Sequence, residues 1–134
     1  MKEAYPVLVV QDKDFCYAYV PDFDINTGGI SLFDAIKEAR DSIGVMGIMM
    51  EDAGNNLPEP SSTEQVMERA KGHGYGAGII TYVDVDFLEY RKKHDNHAVR
   101  KNVSIPKWMA DRVDREDINL SRVLQDALGQ MLKD

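Results

Sequence analysis

Residues 100–132 read RKNVSIPKWMADRVDREDINLSRVLQDALGQML. Arg100 to Ile105 has the alternation of a short strand, with Val103 and Ile105 on one side and Arg100, Asn102 and Ser104 on the other. Pro106 then stands at the first helical position of a helix over 107–116, whose apolar positions are Trp108, Met109 and Val113. Asp117 to Leu120 makes a turn. Ser121 is expected to cap a last helix in which Val123, Leu124, Ala127, Leu128, Met131 and Leu132 form one stripe.

A strand and two helices of this size cannot hide that much apolar surface alone. Below about 40 residues a chain usually needs disulfides, a metal or association, and each large buried side chain is worth roughly 1.5–3 kcal/mol. A twofold partner solves the problem: two strands pair antiparallel into a ribbon, and four helices close over a shared core. Val103, Ile105, Trp108, Met109, Val113, Leu120, Leu124 and Leu128 form the expected dimer core. Period two then turns Arg100, Asn102 and Ser104 outward, and a one-residue slip would bury Asn102 and Ser104 instead. A two-stranded ribbon fits the major groove of B-DNA, where Arg reads guanine, Asn reads adenine and Ser bonds to either. Ser121, with Arg122 beside it, places the free N–H groups of the last helix where a phosphate would bind.

The segment resembles the ribbon-helix-helix repressors, the β-ribbon readers of the MetJ and Arc kind. The resemblance implies that Arg100, Asn102 and Ser104 read bases. Lys101 departs from the pattern, because an apolar residue belongs at that inward position. Near the ribbon's end its stem can pack while its ammonium reaches water or a phosphate.

Upstream, Tyr5 to Val10 (YPVLVV) and Phe15 to Val20 (FCYAYV) are β-branched and aromatic runs separated by a polar turn, a hairpin signal. A short strand ending in Gly28 and Gly29 precedes Ser31, which caps a helix from about Leu32 to Glu51; Leu32, Ala35, Ile36, Ala39, Ile43 and Met46 supply its apolar stripe. Pro58 and Pro60 enforce a loop, Thr63 is expected to cap a short charged helix over 64–71, and 78–86 alternates as another strand. This order predicts an α+β unit over 1–90: one antiparallel sheet with a long helix on one face. Residues 91–97 (RKKHDNH) lack an apolar anchor and are read as a linker to the module at 98–134.

YPVLVV, FCYAYVPDFD, SLFDAIKEARDSIG, NNLPEPSS and YVDVDFLEYRKK, joined to such a module, resemble the HicB antitoxin family over nearly the whole chain. The resemblance implies a partial ribonuclease-H-like fold without catalysis, which masks the small mRNA-cleaving toxin HicA. It further implies repression of the operon through double-stranded operator DNA. Many relatives carry a helix-turn-helix at the C-terminus; here the ribbon takes its place.

Composition fits this picture. The net charge of −7 conceals an asymmetry: residues 1–90 carry −10, 91–107 carry +5 and 108–134 carry −2. Overall acidity argues against non-specific coating of nucleic acid, while one basic segment suffices for a docked site. An acidic first part suits a basic, RNA-cleaving partner. With no apolar run near the roughly 18 residues of a span and no signal-peptide pattern, the chain is expected to be cytoplasmic and away from membranes. Cys16, between Phe15 and Tyr17, reads as a small buried hydrophobe.

Sharper readings compete with plainer ones. Asp12, Asp14, Asp22, Asp24, Asp84 and Asp86 suggest a two-metal nuclease, a toxin-facing surface or a merely solvated sheet face, and their placement in turns and loop flanks disfavours the nuclease. Gly72, Gly74, Gly76 and Gly78 spell no phosphate loop. His73, His94 and His97 lack ligand spacing and read as surface residues. Met46, Met49 and Met50 read first as core filling and second as an adaptable groove, and Trp108 as an anchor rather than a stacking platform. The expectation is a non-enzymatic antitoxin with no cofactor, no metal and no catalytic residues, forming a homodimer or a higher homo-oligomer. A DNA-tethered ribonuclease-H-like hydrolase and a ligand-sensing transcription regulator are the alternatives.

Overall fold

Alternating runs of β-branched and aromatic residues make the first sheet. A computed structural model of the chain describes residues 1–75, 78–94 and 97–133, which form two separate units, Met1–Asn96 and His97–Asp134. In the first unit β1 (Lys2–Gln11) and β2 (Cys16–Val20) form the hairpin, in register Leu8↔Tyr19 to Gln11↔Cys16, closed by the Asp12 N–H donating to the Phe15 carbonyl at 2.8 Å. A 3-10 turn (Pro21–Phe23) leads to β3 (Ile25–Gly29), and β4 (Ile79–Asp86) returns antiparallel to β1, giving the sheet order β3-β2-β1-β4.

Odd positions of β1 and β4 point to one face. Tyr5, Val7, Val9, Cys16, Ala18, Val20, Val83 and Val85 pack there with Ala35, Ala39 and Ile43 of α1 (Leu32–Asp52). The Ser31 hydroxyl caps α1 by accepting from the Asp34 N–H at 3.1 Å. Two members of the expected stripe stay out of this core: Leu32 is 48% exposed and Met46 sits at the surface.

The second face is not simply solvated, as the single-helix reading would have it. Leu8 and Tyr19, which alternate with the first core's residues, pack with Val66 and Ala70 of α2 (Thr63–Gly72) into a second, smaller core. Thr63 is not the cap of α2. Ser62 is, in a reciprocal box: its hydroxyl accepts from the Gln65 N–H at 3.2 Å and its own N–H donates to Gln65 Oε1 at 2.9 Å. The cap falls one residue earlier because Ser62 has the extended backbone a cap requires.

Directly after β4 the chain enters α3 (Phe87–His94), whose start is held by the Asp86 carboxylate accepting from the Glu89 N–H at 3.2 Å. Four residues expected in the linker, Arg91 to His94, are therefore helical, and Arg91 pairs with Asp52 at 2.8 Å. Asp95 and Asn96 of that expected linker lie outside the described residues. Phe87 and Tyr90 seat α3 on α1 at Gly44 and Gly47, where a Cβ would collide with their rings.

The second unit holds α4 (Lys107–Arg115) and α5 (Leu120–Met131). Pro106 is the residue before α4 rather than its first residue. Asp117, in the left-handed region at φ 54°, turns the chain between the helices. Residues 97–106 carry no strand in the single chain. A β-strand is defined by ladder hydrogen bonds, and an isolated segment with no neighbouring strand cannot make them.

Candidate functional site

The proposed reading edge is built from a segment that pairs with no strand among the described residues. Arg100, Lys101, Asn102 and Ser104 are all exposed. Val103 is 64% exposed and Trp108 62%, and none of the described residues of this unit is buried. Val113 is half-buried, while Ile105, Met109, Leu120, Leu124 and Leu128 remain open to solvent. The segment and the start of α5 enclose an apolar groove of about 500 Å³, where Val103 and Ile105 meet Leu120 and Leu124. Four of the expected core residues are thus brought together; Trp108, Met109, Val113 and Leu128 lie outside the groove's lining. Lys101 borders it as its stem requires, and so does Asn102, because the alternation separating readers from core needs a paired strand.

Ser121 does not cap α5. Asn119 does, its carbonyl oxygen accepting from the Arg122 N–H at 3.1 Å. Ser121 and Arg122 lie in the first turn, and the cap consumes the Arg122 amide as a phosphate donor while the amides of Leu120 and Ser121 have no intrahelical acceptor by position.

In the first unit the acidic residues have local tasks that sequence reasoning missed. Asp22 accepts from both the Ser61 N–H and the Ser61 hydroxyl, tying the proline loop to the turn after β2. Asp24 sits in the left-handed region at φ 52°. Asp12 accepts from the Lys13 N–H at 2.7 Å within the hairpin turn. Asp84 bonds the Arg40 guanidinium at 3.0 Å, and that hydrogen bond pulls its carboxyl below the usual range. Asp84 thus faces a guanidinium across the sheet edge, and among the described residues no three His, Cys, Asp or Glu side chains cluster as metal ligands.

Burial of Cys16 raises its thiol, as suits a core side chain. His73 lies against Tyr19 and His94 stacks on Tyr90 with centroids 4.2 Å apart. No helix among the described residues is long and apolar enough to cross a membrane.

The groups of this unit also line a cleft of about 640 Å³ where β2 gives way to the 3-10 turn, between Met46 and Met50 of α1 and Glu68 and Arg69 of α2. The methionines therefore divide: Met50 packs on the core while also lining the cleft, Met46 lines it, and Met49 is 60% exposed.

Comparison with known proteins places this geometry. The family described as HicB-like antitoxin of bacterial toxin-antitoxin systems matches residues 5–124. Two solved structures share the fold: a toxin-antitoxin complex from Streptococcus pneumoniae, 22% identical with a TM-score of 0.59, over 98% of this chain and 99% of that one; and the antitoxin HicB of Burkholderia pseudomallei, 23% identical with a TM-score of 0.55, over 98% and 99%. Among curated proteins none matches the chain.

Proposed function

The chain belongs to the HicB-like antitoxin family of bacterial toxin-antitoxin systems, and from that premise we propose that it masks a HicA-type mRNA-cleaving toxin with its first unit and represses its own operon through a ribbon-helix-helix dimer of residues 98–134. The observation that carries the dimer is that the second unit buries none of its described residues while both of its helices are strongly amphipathic. A second copy supplies what is missing: a strand for the unpaired segment and apolar side chains for the groove beside it. Pairing of two such segments aligns Arg100, Asn102 and Ser104 on one outward face, and Lys101 and the start of α5, with Ser121 and Arg122, reach the flanking phosphates. We read the first unit as a partial ribonuclease-H-like sheet used for binding. In the basic 91–107 segment, Arg91 is held by Asp52, whereas Arg100 and Lys101 lie on the exposed stretch.

Titration of the full chain with operator and random duplexes at several salt concentrations tests the reading. Asn102→Ala is expected to cost about 1–3 kcal/mol on the operator and to relax base preference, while Lys101→Ala weakens both duplexes alike and lowers the salt slope by about one. Equal losses on both duplexes for Asn102→Ala contradict base reading by the ribbon.

A further inference from the structure

The cleft beside the turn after β2 has walls of two kinds. Phe23, Met46 and Met50 make an apolar side, and Asp22, Asp24 and Glu68 carry carboxylates around it. One guanidinium, Arg69, also lines it, but it donates to the Pro21 carbonyl at 2.9 Å and is thereby turned to holding the 3-10 turn. Asp22 is likewise engaged by Ser61. Of the other two carboxylates, Asp24 has no side-chain hydrogen bond or ion pair among those described, and Glu68 meets only the Lys71 ammonium at 3.7 Å, an exposed pair of the kind that is worth little and that an incoming cation can replace.

A lysine or arginine side chain has the same two-part chemistry, an apolar stem of three or four carbons ending in a cation. Methionine walls adapt to the stem, since the thioether side chain is unbranched and polarizable. Resting on the antitoxin reading above, we propose that this cleft receives a lysine or arginine side chain of the toxin, with Asp24 and Glu68 meeting the cation and Met46 and Met50 packing its stem. The net charge of −10 over residues 1–90 attracts a basic protein to this unit as a whole. It does not choose a place on it; the cleft offers one, where carboxylates border a recess walled by Phe23, Met46 and Met50, whereas the carboxylates of the recess at Asp41, Asp84 and Glu89 already share it with Arg40 and Lys93. The carboxylates of the cleft repel phosphates, so the occupant is a protein and not the RNA that the toxin cleaves.

The test uses the full chain and the small basic toxin that the antitoxin reading expects to be encoded beside its gene, with association and dissociation rates measured separately. Asp24→Asn with Glu68→Gln removes two charges without changing shape, and Asn tolerates the left-handed backbone of position 24. The control, Asp34→Asn with Glu38→Gln on α1, removes the same charge where neither residue lines the cleft. The cleft pair is expected to weaken binding about tenfold or more, mainly through faster dissociation, and the control less than about threefold, through slower association. Met46→Ala should add to the first effect and not to the second. Equal effects of the two pairs, or none from either, overturn the cleft while leaving the antitoxin reading in place. A wild-type chain that fails to bind the neighbouring protein overturns the antitoxin reading and the cleft with it.

Discussion

Tyr5 shows how one side chain serves several layers. It is fully buried, lies edge-on to Phe23 with ring centroids 4.8 Å apart, and its hydroxyl donates to the Pro58 carbonyl at 2.9 Å, fastening the proline loop to the sheet. Burial, aided by Glu3, Asp22 and Glu59, pushes its hydroxyl up to about 12 from the ordinary 10. The folded protein therefore holds this proton more tightly than the unfolded chain does: the associated stability is full below pH 10 and is lost as pH rises through about 12. Denaturant melts should show a decline across that window that Tyr5→Phe flattens, and at neutral pH the variant should lose about 1 kcal/mol with the missing hydrogen bond. An unchanged alkaline decline in Tyr5→Phe assigns the effect to another group. Single residues were legible only in part. Ser31 and Cys16 do what their neighbourhood in the chain implies. At 62–63 and 119–121 the chain offers rival caps, and the backbone conformation that chose Ser62 and Asn119 is not written in residue type.

Among the elements, α3 is the one that periodicity hides. Its eight residues have a weak apolar face, and a basic end that reads as linker, yet Phe87 is 1% exposed because α1 offers Gly44 and Gly47 one turn apart. Glycine normally weakens a helix by about 1 kcal/mol relative to alanine. Here the added methyl would meet the Phe87 ring, whose core position leaves it nowhere to move, and overpacking costs about 1–3 kcal/mol. The clash outweighs the gain in helix propensity, so Gly47→Ala should destabilise by about 1–2 kcal/mol in equilibrium unfolding. Gly44→Ala should cost less, because Tyr90 is only half-buried and can swing outward. A stabilised Gly47→Ala would mean that α3 is not seated as described. The signal was present as a GxxG pair inside an otherwise regular helix, but its meaning depends on a partner helix 40 residues later in the chain.

For the whole molecule, the division of labour makes the sharpest prediction. A chain ending at His94 keeps α3 on its seat, which an ending at Tyr90 would disturb. It should bind the toxin as the full chain does and lose operator binding. Sedimentation should find the full chain dimeric at micromolar concentration and the shortened one smaller in assembly. A full chain that is monomeric at that concentration with an ordered second unit removes the basis of the ribbon. By itself the amino-acid order determined the α+β class of the first unit, the hairpin, the long helix and the two amphipathic helices near the C-terminus, because these follow from local periodicity and breakers that act within a few residues. Tertiary structure alone decided that α2 closes a second core over Leu8 and Tyr19, that α3 docks through two glycines, and that carboxylates border a methionine-walled cleft. Each of those joins residues tens of positions apart, and which distant side chains meet depends on the sheet's register and the helices' seating, which no local pattern encodes.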